Sequence, residues 1–584
     1  MGYKIAVSSG WWGIAKDPNL LGLGTKISSI ATYGVRFVQA DIEHVAEFVE
    51  PSLINQIKAA IDKLGIEWGA HGEIGENMAW ETAIGEYWKQ SHRRLHQYLD
   101  TLYDFFVKGK NERYKPLYIN FHASNMLPLG YIIERYRAVP LVAVDINGNP
   151  DWDEFFRSNE KVKEWFKKTI LRIFVPDEEL VKIIEAAYED VQNKLNRLNK
   201  EEKTKFEEKL KKEVEKGKYD EDRYRIWREK TKRLAGRYPG YGKGTIDREE
   251  LAYLIIARYI YEKRNDPKEP VWKLFFGNKS WEEVEKSYGK IEENGKKKDY
   301  KFFDEETFRI RIPKELEAAV AIRYILGHFD KEPTNEYLLE LKKKKGKEWD
   351  KFYELPAYKK LEILKVYFAF EPPETIGATY EGLQRILKPL HIYYLVKALQ
   401  TRCPYFKVIV DFEHLLHNGL NVEDELKQVP EDFGKEVIGV HVGALKPYHP
   451  AHYPIELGSG DQATVYKYIW ILRNLGFKDG LIIFERGGKP GASPLEFMKT
   501  TVLALRKIVE YLEKDVSPEK LPPEFYGISS KEIMAIERQL ANIRLHALDP
   551  LKGLIMFPEE EHGELGKKAV EKGKAKEWKA GELR

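Results

Sequence analysis

A chain of 584 residues with 96 Lys and Arg against 93 Asp and Glu carries a net charge of only +3. So mild a balance neither announces nor excludes a nucleic-acid binder. The single cysteine, Cys403, excludes a disulfide framework, and no apolar run reaches the roughly 18–20 residues of a membrane span.

The opening MGYKIAVSSGWW runs straight into a strand and lacks the plan of a signal peptide, so a cytoplasmic protein is expected. Lys and Glu are abundant while Met numbers only 6, the bias of a thermophilic protein. Strands are expected at Lys4–Ser8, Val35–Ala40, Ile66–His71 and Leu117–His122, each a short run rich in apolar or β-branched residues. Helices fall between them at Pro51–Leu64 and Glu81–Phe106. Residues 1–125 thus read as the first half of a barrel. Residues 126–355 change character. Asp151–Arg237 is charged and helix-prone, and further helices fit at Glu249–Lys263 and Pro313–Phe329. So long an interruption needs structure of its own, and a mainly helical insertion domain is expected. Its aromatics, Tyr219, Tyr224, Trp227, Trp272, Phe275 and Phe276, read as the insertion's own core rather than as a stacking platform for bases. GRYPGYGKGT reads as a flexible loop rather than a phosphate loop, because Gly244 follows Lys243 where Ser or Thr belongs.

The alternation resumes over residues 356–515, with strands at Val366–Glu371, Lys407–Asp411, Val437–His441 and Leu481–Glu485. Helices are expected at Tyr380–Leu399, Ala463–Leu475 and Ser493–Leu512. Four strands plus four, each followed by a helix, make a (β/α)8 TIM barrel interrupted after its fourth strand. A helical extension over 516–562, with a helix near Ser530–Leu548, and a mobile charged tail over 563–584 complete the chain.

Seven acidic and imidazole side chains close these strands or lie just past them: His71, His122, Glu371, Asp411, His414, His441 and Glu485. In an α/β barrel the strand C-termini share one face, so the seven should converge. A mixed His/Asp/Glu set is the ligand inventory of a divalent metal, and a buried carboxylate needs a positive partner. Ser8, Ser9, Trp11 and Trp12 are candidates either to wall the same pocket or to pack beneath it, Asp41, Glu43 and His44 are candidates to support it, and Lys446 and Arg486 are candidates to meet a phosphate.

In this pattern the chain resembles the xylose-isomerase-like barrel superfamily, and within it most resembles the endonuclease IV branch (AP endonuclease family 2). The seven residues fall in that branch's order, and its Leu-Gly-x-Gly turn stands as Leu457-Gly458-Ser459-Gly460. The branch's Asp-x-His pair falls on His452 and Pro454. Pro454 cannot coordinate through its side chain, so His452, or His449 nearby, is the ligand left there. The resemblance implies two or three ions, Zn2+ with Mn2+ or Mg2+ as alternatives. It also implies Glu371 and Glu485 as catalytic carboxylates, and DNA with an abasic or damaged site as substrate. Two alternatives stand beside this reading. One is a sugar isomerase or epimerase using Glu371, Asp411, His441 and Glu485 around one ion, with a small sugar as substrate. The other is a non-catalytic binding protein on the barrel scaffold.

Overall fold

The computed structural model describes residues 2–10, 27, 30–31, 34–42, 51–72, 80–81, 85–124, 133–134, 137–138, 270–293, 295–301, 303–304, 309–310, 313–373, 385–445, 452–485, 498–528, 534–535 and 538–541. Outside these lie the charged run Asp151–Arg237, the helix expected at Glu249–Lys263, the loop 236–245 and the tail 563–584. Trp11, Trp12, Glu43, His44, Lys446, His449 and Arg486 lie outside as well.

Eight parallel strands close into a barrel in the order β1-β8-β7-β6-β5-β4-β3-β2. They are β1 (Tyr3–Ser8), β2 (Phe37–Asp41), β3 (Glu67–His71), β4 (Tyr118–His122), β5 (Tyr367–Glu371), β6 (Phe406–Asp411), β7 (Val437–Val442) and β8 (Gly480–Phe484). The expected strands agree with these to within two residues. Residues that alternate along each strand face the axis, and Ala6, Phe37, Tyr118, Ala369, Ile409, Leu481 and Ile483 form a separate buried cluster. Phe37 stacks on Tyr118 with ring centroids 6.0 Å apart. Gly69 leaves room for this, since a Cβ there would lie 2.5 Å from the Tyr118 ring. Strand β4 pairs directly with β5, from Tyr118 against Tyr367 to His122 against Glu371, across the whole intervening stretch.

The outer layer carries α1 (Pro51–Leu64), α2 (Gly85–Leu102), α3 (Pro270–Phe276), α4 (Trp281–Ser287), α5 (Lys314–Asp330), α6 (Asn335–Lys345), α7 (Ala357–Leu364) and α8 (Pro389–Gln400). After these come α9 (Phe412–His417), α10 (Val422–Leu426), α11 (Gly460–Asn474) and α12 (Met498–Glu513). The helix expected to run to Phe106 ends at Leu102 and continues as a π-helical turn, Tyr103–Lys108. The one expected from Tyr380 begins at Pro389, where proline's fixed φ and missing N–H suit a first turn. Inside the span expected as an insertion, α5 packs on the barrel: Phe329 meets Phe368, Phe370 and Phe406. Among the described residues no helix is long and apolar enough to cross a membrane.

Candidate metal centre

The alternation that fills the barrel also aims the site. Ala369, Ile409 and Ile483 plug the interior, and two residues further along each strand stand Glu371, Asp411 and Glu485. By the period of two, those carboxylates share the same inward face. Strand pairing sets neighbours level with one another, Glu371 beside His122 and Asp411 beside His441. The spacing of Asp411 and His414 has its own cause. Asp411 ends β6 and caps α9, accepting the His414 backbone N–H at 2.7 Å through Oδ1. Its Oδ2 is left toward the axis, 3.4 Å from His441 Nδ1 and 3.5 Å from His414 Nδ1.

All eight residues expected as ligands fall into three groups, two of them sharing Glu371, and within each group the possible ligand atoms lie within 4.8 Å of one another. His71, His122 and Glu371 form one, Glu371, Asp411 and His441 a second, and His414, His452 and Glu485 the third. Glu371 is fully buried and belongs to two of them. Its Oε1 lies 2.7 Å from His71 Nε2 and 2.8 Å from His122 Nε2, while its Oε2 lies 2.8 Å from His441 Nδ1.

The outer nitrogen of each buried ring decides what the inner one offers. His71 Nδ1 faces the Gly72 carbonyl at 2.9 Å, and His414 Nδ1 faces the Pro372 carbonyl at 3.0 Å. A carbonyl only accepts, so both Nδ1 atoms carry the proton. His441 Nε2 lies 3.0 Å from Gln39 Oε1. That oxygen also accepts from Tyr118 Oη at 2.7 Å, while Gln39 Nε2 donates to Asp41 Oδ1 at 3.2 Å. The Gln39 amide is thereby oriented, and His441 must donate through Nε2. In the neutral ring, His441 Nδ1 is then a lone pair facing Glu371 Oε2, Glu485 Oε2 at 3.0 Å and Asp411 Oδ2. None of these four atoms has a partner in hydrogen-bond geometry. Lone pairs that converge while the outer nitrogens are tethered are the arrangement of ligands around a divalent cation. The donor set fits such ions.

Electrostatics agree. Burial pulls His71 down, but Glu371 outweighs it and raises the ring to about 9. Burial likewise opposes the charge on His441, and Glu485 with Glu371 lifts it well above the ordinary histidine range. Burial pushes Glu371 up, while His441 and His71 hold its carboxyl well below the usual carboxylate range. The pocket therefore holds concentrated negative charge that demands a cation, whether protons or metal.

Three supporting residues escaped the sequence reading. Gln39 and Tyr118 sit at inward positions of β2 and β4, and a polar residue between apolar neighbours in FVQAD was the available signal for the first. Glu413 pairs with His452 Nδ1 and is buried. Asp41 takes the supporting place expected of it, accepting from Ser9 Oγ at 3.2 Å, from the Gly10 N–H and from Gln39.

No family model and no curated protein matches the chain. Among solved structures it is similar to D-psicose 3-epimerase of Clostridium cellulolyticum H10 with D-tagatose, at 10% identity and TM-score 0.32, over 88% of this chain and 97% of that one. A D-psicose 3-epimerase with D-fructose gives 10% and 0.34 over the same shares. D-allulose 3-epimerase from Methylomonas sp. gives 9% and 0.33, over 88% and 98%. None of these three is a nuclease, and the endonuclease IV resemblance rests on the residues alone.

Proposed function

We propose that this chain is a divalent-metal enzyme that hydrolyses phosphodiesters, acting on DNA at abasic or damaged nucleotides. One observation carries the reading: Glu371 faces His71 and His122 with one oxygen and His441 with the other. A carboxylate so placed could serve two ion positions, and His414, His452 and Glu485 would hold a third. Held by these residues, divalent ions would supply a coordinated water with its pKa lowered toward neutrality and positive charge for the attacking and leaving oxygens of a phosphodiester. Glu485 is buried just past the end of β8 and would orient the attacking water by accepting its hydrogen bond. Gln39 and the Gly72 and Pro372 carbonyls fix three rings so that no reorganisation is needed during the reaction. A flipped, damaged nucleotide reaches such a pocket at less unstacking cost than an intact one.

A second reading has its own observation. Glu371 Oε2 and Glu485 Oε2 lie 2.8 and 3.0 Å from one His441 nitrogen, with Asp411 at 3.4 Å. Two carboxylates flanking one ion position suit proton transfer between adjacent carbons of a sugar. The three solved structures are named as sugar 3-epimerases, and their weak overlap says nothing of side chains. On this reading His71, His122 and His452 have no task, which is why hydrolysis is preferred.

The deciding experiment incubates metal-loaded protein with a labelled duplex bearing one abasic site, and separately with ketohexoses, each beside a chelated control. Metal-dependent incision at the lesion, abolished by Glu371→Gln, is expected. Sugar epimerisation without incision would overturn hydrolysis in favour of the second reading.

A further inference from the structure

The third ion position departs from the family pattern, because Pro454 stands where the second member of an Asp-x-His pair belongs. We infer that Glu413 compensates, as a positioning residue that locks His452 into the tautomer that binds metal. The inference rests on the metal-centre reading above and concerns a residue outside all three ligand groups.

Glu413 and His414 are consecutive residues in the first turn of α9, so their side chains diverge by about 100° around the helix axis. His414 enters the group with Glu485. Glu413 reaches His452 Nδ1 instead, and the two histidine rings stand 5.6 Å apart between centroids. A carboxylate on Nδ1 holds the proton there and leaves His452 Nε2 as a lone pair. It also raises the basicity of that nitrogen, as outer carboxylates do for metal-bound histidines.

Two further observations show that the pair is built in. Glu413 is 2% exposed, and its Oε1 has no hydrogen-bond partner. A carboxylate buried so deeply is costly without a charged neighbour. Gly443, just past β7, provides its berth: a Cβ built there would lie 2.6 Å from Glu413 Oε2. Any larger residue at 443 displaces the carboxylate. His414, His452 and Glu485 then supply three donors, the number that leaves a catalytic zinc one open position.

The test is titration of the full-length apo-protein with Co2+, following visible d–d absorbance and bound metal per chain by mass spectrometry. Wild type should take up three equivalents. In Glu413→Gln the weakest-bound equivalent should lose affinity by about 10–100-fold. Its absorbance band should shift while the other two equivalents are unchanged. Gly443→Ala, which removes no ligand, should reproduce that selective loss and guards against misfolding of one variant. His452→Ala should remove the third equivalent altogether. Three equivalents with wild-type affinity and spectrum in both Glu413→Gln and Gly443→Ala would overturn the role of Glu413. Only two equivalents in wild type would overturn it as well. No bound metal in wild type would instead overturn the metal-centre reading itself.

Discussion

Lys360 shows how a buried ion pair can cost more than it returns. Its ammonium is fully buried, 2.6 Å from Asp100 Oδ1 and 3.0 Å from His96 Nδ1. Burial pushes Asp100 up to about 6, and the attraction of Lys360 offsets this only in part. Burial pulls Lys360 down, with Asp100 again compensating incompletely. Both shifts disfavour the charged forms, so the pair contributes little net stability at neutral pH. Removing one partner is another matter, because the other charge is stranded. Lys360→Met alone should cost about 3–5 kcal/mol. Lys360→Met with Asp100→Asn should recover most of that loss, since only neutral groups remain. Urea unfolding of the two variants checks this, and equal losses in both would contradict it. Residues of this kind were also the hardest to read beforehand. Glu371 and Asp411 stood out because each closes an apolar run. Glu413 did not, because the first turn of a helix is where an acidic residue is ordinary and solvated. Only its burial against His452 and Gly443 reveals its role.

Helix α2 joins the barrel to α5 through stacked rings. Trp88 lies 4.8 Å from His92 on its own helix and 4.4 Å from His328 on α5, both at 17°. His92 Nε2 donates to the Glu332 carbonyl and His328 Nε2 to the Trp80 carbonyl. Burial drives His92 down to about 4, and it holds His96 and His328 well below the usual range. The unfolded chain, with ordinary histidines, therefore takes up protons first as the solution is acidified. Stability from these rings is complete above pH 6.5 and drains away as pH falls toward 4. For His92 alone the loss is on the order of 3 kcal/mol. Denaturation midpoints measured from pH 7.5 to 4 should fall across this window, and His92→Gln should flatten the curve. A wild-type midpoint constant between pH 6.5 and 4.5 would refute the assignment. Element boundaries were legible where punctuation is strong, as at Pro51, and at Asp411, where β6 ends as expected. They were missed where it was overlooked, as at Pro389, or where helix geometry itself changes, as at Tyr103–Lys108.

At the scale of the molecule, eight short apolar runs sufficed to read the barrel. Strand count and inward alternation survive errors of a residue or two at either end. The strand-end residues were legible for the same reason, since parallel strands send their C-termini to one face. What the sequence could not reveal is how α5 joins the outer layer, because packing of Phe329 on Phe368 depends on contacts distant in sequence. The seam between β4 and β5 has a further consequence. His71 and His122 belong to one half of the barrel, and Glu371, Asp411 and His441 to the other. Ions held by these residues would straddle the seam and act as a clasp between halves that no short loop joins. A protease nick within residues 126–269 should leave a single particle while the clasp is shut. Stripping the ions should let the nicked protein part into two fragments on gel filtration, whereas the uncut chain elutes unchanged. Fragments that stay together after chelation would mean that the β4–β5 and β1–β8 pairings and the shared core hold the halves without the ions. If they separate, the ions proposed for the chemistry would also keep the barrel whole, and a broken chain would hold together for as long as its metal stayed in place.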